Sequence, residues 1–109
     1  MGTKDYAKIM SLLHDIAKKS NPNFEYVEDT SGIDSKTIPF IKVKIMSNGD
    51  DDVSIADTLE KFFISHGIIY DRYRDRGFLI TDKESFKTLI KLYDIHTDAK
   101  EYYNEYLIS

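Results

Sequence analysis

Residues 41–45 read Ile-Lys-Val-Lys-Ile. A period of two would smear Ile41, Val43 and Ile45 around a helix, whereas a strand sends successive side chains to opposite faces. The run therefore requires a sheet with one apolar face and a second face carrying Lys42 and Lys44. We assign the strand to residues 38–46, "IPFIKVKIM". "SNGDDD" closes it with an Asn-Gly turn signal. A sheet of this kind needs an apolar layer to cover it, and the rest of the chain supplies helices with apolar stripes.

Residues 4–19 carry Tyr6, Ile9, Met10, Leu13 and Ile16 at three- and four-residue steps, an amphipathic helix ended by Pro22. Residues 53–66 carry Ile55, Leu59, Phe62 and Phe63 and end at Gly67, with Ser54 and Asp57 at capping-box spacing and Asp52 as a competing cap. Thr81 and Glu84 have the same spacing and open a helix with Phe86, Leu89, Ile90 and Tyr93; a last helix is expected over about 97–107. Between these lie a strand at 24–29, a loop at 30–36, and a β-hairpin of "IIYDRY" and "GFLIT" turning within 74–77.

The expected order is α-β-β-α-β-β-α-α, a single α+β domain over 1–109. The stretch 38–93 reads β-α-β-β-α, most of a ferredoxin-like split unit short of its last strand, and the strand at 24–29 can fill the missing place beside 38–46. The expectation is a four-stranded antiparallel sheet, a ferredoxin-like variant, with helices packed on it. Its core is expected to contain Ile41, Val43, Ile45, Leu59, Phe62, Phe63, Phe86, Leu89 and Ile90.

Composition narrows the function. The chain has 109 residues, 41% hydrophobic and 13% aromatic, enough for one packed core. Absence of cysteine excludes disulfides and thiolate zinc sites. No apolar run approaches the ~20 residues of a membrane span, so a cytoplasmic protein with no membrane partner is expected. A net charge of −4 is unlike the basic balance of a free-standing nucleic-acid binder. Fourteen isoleucines, twelve lysines and eight tyrosines without tryptophan give the chain the compositional look of small accessory proteins of bacteriophages or AT-rich bacteria.

All three arginines, Arg72, Arg74 and Arg76, fall within "YDRYRDRGFLI", interleaved with Tyr70 and Tyr73. If 70–74 is extended, Tyr70, Arg72 and Arg74 share a face. Guanidinium groups offer planar, bidentate donors to carboxylate or phosphate and stack on aromatic rings. The alternative is a solvated turn in which they pair with Asp71 and Asp75.

"RGFLIT" followed by "KESFKTLIKLY" resembles the third strand and second helix of RNA-recognition motifs, which begin that strand with a basic residue, a glycine and an aromatic. Arg76, Gly77 and Phe78 stand at those places. The next aromatic of the pattern falls at Ile80, and Lys42 stands where the first strand would carry a stacking ring. The resemblance covers 38–93 and implies single-stranded RNA or DNA bound on the sheet, with Arg72, Arg74, Arg76, Lys42 and Lys44 as contacts; stacking would need Phe78 as an exposed ring, whereas the residue itself reads as a core phenylalanine.

Other constellations carry less. Asp50, Asp51 and Asp52 are consecutive and precede a helix, where carboxylates suit the dipole; they lack calcium-loop spacing. His14, His66 and His96 have no zinc spacing. No phosphate loop or nucleophile elbow occurs. No cofactor, metal or catalytic residue is expected. In the last helix Asp98, Glu101 and Glu105 form an acidic stripe beside Tyr102, Tyr103 and Tyr106, a composition suited to a protein interface.

The sequence thus leads to a non-enzymatic binding protein, concretely a phage-type inhibitor covering a surface of a host or defence protein. The expected contacts are Tyr70, Arg72, Tyr73, Arg74, Arg76, Glu101, Tyr102, Glu105 and Tyr106. The alternative is an RNA- or single-stranded-DNA-binding module, a small hydrolase or nuclease comes third, and a homodimer built on exposed tyrosines is compatible with any of these.

Overall fold

The computed structural model describes the backbone of residues 3–33 and 39–108 and the side chains of 4–33 and 39–97. Its elements run α1 (Thr3–Ser20), β1 (Phe24–Asp29), β2 (Gly32–Ile33), β3 (Pro39–Ser47), α2 (Asp52–Ser65), β4 (Asp71–Tyr73), β5 (Gly77–Ile80) and α3 (Lys83–Ile108). The fold is α+β with an antiparallel sheet in the order β1-β3-β5-β4, β2 pairing with β3.

The alternation in β3 sets the layers. Ile41, Val43 and Ile45 are fully buried. Ile41 pairs with Ile80 and Val43 with Phe78, so these side chains share a face. They join Ile9, Leu12 and Leu13 of α1, Ile55, Leu59 and Phe63 of α2, and Phe86 and Leu89 of α3 in one core. The helices therefore cover a single face of the sheet. Phe62 and Ile90, expected in the core, are only partly buried at its margin. Among the described residues no helix is long and apolar enough to cross a membrane.

Among the described residues the sheet has five strands where four were expected, and Thr30 and Ser31 are the reason. β1 and β2 run along the same edge of β3, with Asp29 opposite Val43 and Gly32 opposite Phe40. Between them the Ser31 amide donates to Asp29 Oδ1 at 2.9 Å, and the Ser31 hydroxyl accepts the Lys42 amide at 2.8 Å. A side-chain oxygen thus takes the place of a backbone acceptor and interrupts the ladder. Asp29 also ties β1 to α1 by accepting a hydrogen bond from the Tyr6 hydroxyl. Burial and the Asp29 carboxylate push the Tyr6 phenol up to about 12.

Helix ends differ in detail from the sequence reading. α3 is capped by Asp82, whose carboxylate accepts the Ser85 amide at 2.9 Å, and not by Thr81 with Glu84. The two expected C-terminal helices are one, α3. At the start of α2 the Ser54–Asp57 box does not form; Asp52 accepts from the Ser47 amide at 2.9 Å and from the Ser47 hydroxyl. α2 ends where Gly67 adopts φ 69°, with the Ile68 amide donating to Phe63 O at 2.9 Å and the Gly67 amide to Ile64 O at 3.3 Å. These two bonds make a Schellman closure, and a side chain at Gly67 would strain it.

Candidate functional site

The arginines do not act as a group. β4 is only three residues long, and Arg72 lies opposite Phe78 on the helix-covered face. Its guanidinium reaches Asp57 Oδ1 at 2.7 Å and Glu60 Oε2 at 3.1 Å on α2, and its Nε donates to Asp75 O at 2.9 Å. Arg76 pairs with Asp52 at the start of α2. Two of the three arginines thus fasten the hairpin to α2, through carboxylates the sequence reading did not assign to them. Tyr70 is half-buried on the same side, its ring centroid 5.4 Å from Phe63 and 5.8 Å from Phe78.

Arg74 differs from both. It and Asp75 form the turn with φ 50° and 63°, the left-handed region that glycine or asparagine normally occupies. The turn therefore begins at Arg74, which does not continue the face of Tyr70 and Arg72. Its side chain is turned to the opposite side of the sheet, where it lines a groove with Tyr73, Lys42, Lys44, Glu28 and Thr30. The groove is open to solvent and measures about 230 Å³.

Tyr73 forms the floor. It lies opposite Gly77, and a Cβ built at Gly77 would come within 2.5 Å of the Tyr73 ring. The tyrosine hydroxyl donates to Val43 O at 3.0 Å, and Lys42 Nζ stands 5.3 Å from the ring centroid. Burial pushes the Tyr73 phenol up, Glu28 adds to this, and Arg74 opposes it. Among the described residues Lys42, Lys44 and Arg74 make no ion pair.

Phe78 is fully buried among the core aromatics and cannot serve as the exposed ring that the RNA-recognition resemblance implies. The adjacent positions on the open face are Gly77 and Leu79. An offset of one residue in a strand exchanges the faces, and a three-residue motif does not fix that phase.

The side chains of Glu101, Tyr102, Glu105 and Tyr106 lie outside the described residues. Glu28 and Thr30 were not picked out by the sequence reading. The signal for Glu28 was its place in the alternation of "FEYVED", which sets it opposite Lys44. The histidines stand apart: His14 packs edge-on against Phe24, His66 bonds to Ser65 and Phe62 O, and His96 faces Asp15 at 3.3 Å. Comparison with protein-family models, with curated proteins and with solved structures found no match to this chain.

Proposed function

We propose that the chain is a non-enzymatic binding protein that covers a surface of another protein, and that the uncovered face of its sheet makes the contact. One observation carries this reading: Lys42, Lys44 and Arg74 gather around one groove of an acidic chain and are not used in ion pairs among the described residues. Arg72 and Arg76 are neutralised within the fold. Three cations against the single carboxylate of Glu28 leave the groove lining net positive, which gives complementarity to an acidic partner. The isoleucine- and lysine-rich composition supports the concrete form of a phage-type inhibitor of a host or defence protein, acting in the cytoplasm. On sequence grounds, Glu101, Tyr102, Glu105 and Tyr106 form a second contact.

We read the fold as a ferredoxin-like variant. The run β3-α2-β4-β5-α3 with β5 between β3 and β4 supports this, as does β1 on the outer side of β3, in the place of the usual last strand.

The same three cations favour single-stranded nucleic acid as the second reading. Burial of Phe78 counts against it, as does the engagement of Tyr73 with Gly77 below and Lys42 above, because base stacking needs a free ring. Affinity capture from a host lysate, with and without nuclease, tests the choice. We expect a protein that survives nuclease and is lost with Lys42→Glu/Lys44→Glu. Loss of all bound material on nuclease treatment would favour the second reading.

A further inference from the structure

We infer that the groove of Lys42, Lys44 and Arg74 takes an extended acidic segment of a protein, with carboxylates at alternate positions; this rests on the protein-binding reading above. Lys42 and Lys44 are two residues apart on one face of β3, so their stems are set about 6.6–6.8 Å apart along the strand. An extended peptide repeats its same-face side chains at the same interval. Asp or Glu at every second position therefore meets both lysines in step, whereas carboxylates on adjacent residues of an extended segment point to opposite faces and do not.

Arg74 extends the cationic lining beyond the two lysines, with a planar fork that can donate two parallel hydrogen bonds to a carboxylate. Its backbone is held at φ 50° although the side chain there gives the fold no ion pair among the described residues. A non-glycine residue in this region costs on the order of 1–2 kcal/mol, and strain of that kind collects where a side chain is needed for contact. Glu28 in the same lining repels a continuous polyanion and favours carboxylates separated by uncharged residues. The Thr30 hydroxyl donates to Lys42 O at 3.3 Å, which leaves its oxygen to accept from the segment's backbone.

The test is fluorescence anisotropy at low salt with two labelled peptides of roughly twelve residues and equal composition, one alternating Glu and Thr, the other repeating Glu-Glu-Thr-Thr, beside an oligothymidylate of similar length. The alternating peptide should bind several-fold more tightly than the block peptide. Lys42→Glu/Lys44→Glu should weaken it by about tenfold or more, since two attractive contacts become repulsive. Arg74→Gly, which relieves backbone strain and so keeps the fold, should weaken it a few-fold. Equal binding of the two peptides, binding of neither, or binding unchanged in Arg74→Gly overturns the inference and leaves the capture experiment to decide the broader reading. Tighter binding of the oligothymidylate, lost in the lysine variant, overturns both.

Discussion

The Tyr73 ring fills the space that a side chain at Gly77 would need, bridging β5 so that its hydroxyl reaches Val43 O on β3. Cross-strand cover of a glycine by an aromatic restores packing that the glycine lacks. Gly77→Ala should therefore cost about 1–3 kcal/mol by overpacking. In a Tyr73→Ala background the same change should be neutral or stabilising by up to ~1 kcal/mol, because alanine suits a strand better than glycine. A double-mutant cycle in urea checks it; additive effects would mean the ring swings aside freely.

The two adjacent phenylalanines of α2 should separate in their effects. Phe63 is fully buried against Phe78 and Tyr70, while Phe62 lies at the margin against His66. Phe63→Ala should cost ~3–5 kcal/mol. Phe62→Ala should cost roughly 1–2 kcal/mol, since less apolar area leaves water on folding. Denaturant midpoints at unchanged slope measure both.

That division was not legible in the sequence, where Phe62 and Phe63 fit the apolar stripe of α2 equally well. What could be read was what periodicity controls: Ile41, Val43 and Ile45 inward, Lys42 and Lys44 outward, and α1 as an amphipathic helix. Periodicity does not say where pairing resumes after a break, so the end of β1 at Asp29 was read but β2 at Gly32–Ile33, inside the expected loop, was missed. It does not say that a helix passes through Thr97 either, because residues that suit a cap are also tolerated mid-helix when no glycine or proline intervenes. The arginine cluster was visible, but its members were divided by a turn whose left-handed residues are Arg74 and Asp75; aspartate tolerates that conformation, whereas an arginine does not announce it. The groove needed the third dimension, since Glu28, Lys42 and Arg74 come from three separate segments.

Acid should loosen the junction of β3, α2 and the hairpin. The Ser47 hydroxyl and the Arg76 guanidinium hold the Asp52 carboxyl below its ordinary 3.8 against the opposing effect of burial. Hydrogen bonds from Ser31 and Tyr6 outweigh burial at Asp29 and hold it low as well. On acidification the unfolded chain takes up these protons first, so the stabilisation is complete above the ordinary carboxylate value and is lost as pH falls below it. Unfolding free energy should decline as pH drops through about 4. Asp52→Asn should lower stability at neutral pH and flatten that decline. A variant with the wild-type acid slope would show that Asp52 contributes nothing to it.

Arg72 and Arg74 should respond to substitution in opposite ways. Arg72 pairs with Asp57 and Glu60, bonds to Asp75 O, and lays its guanidinium 5.9 Å from the Phe78 ring centroid. Arg72→Ala should destabilise by about 1–2 kcal/mol, combining a partly exposed ion pair with lost packing of the stem. Arg74 sits at φ 50° with no ion pair among the described residues. Arg74→Gly removes the clash of Cβ with its own backbone but gives the unfolded chain more freedom, so the net gain should be up to ~1 kcal/mol. If the groove grips an acidic partner, this more stable variant should bind it less well. Arg72→Ala should bind normally wherever it remains folded. Thermal unfolding and anisotropy on the same two proteins measure both quantities. A destabilised Arg74→Gly would show that the turn uses the arginine side chain for folding, and full binding by that variant would remove Arg74 from the contact surface.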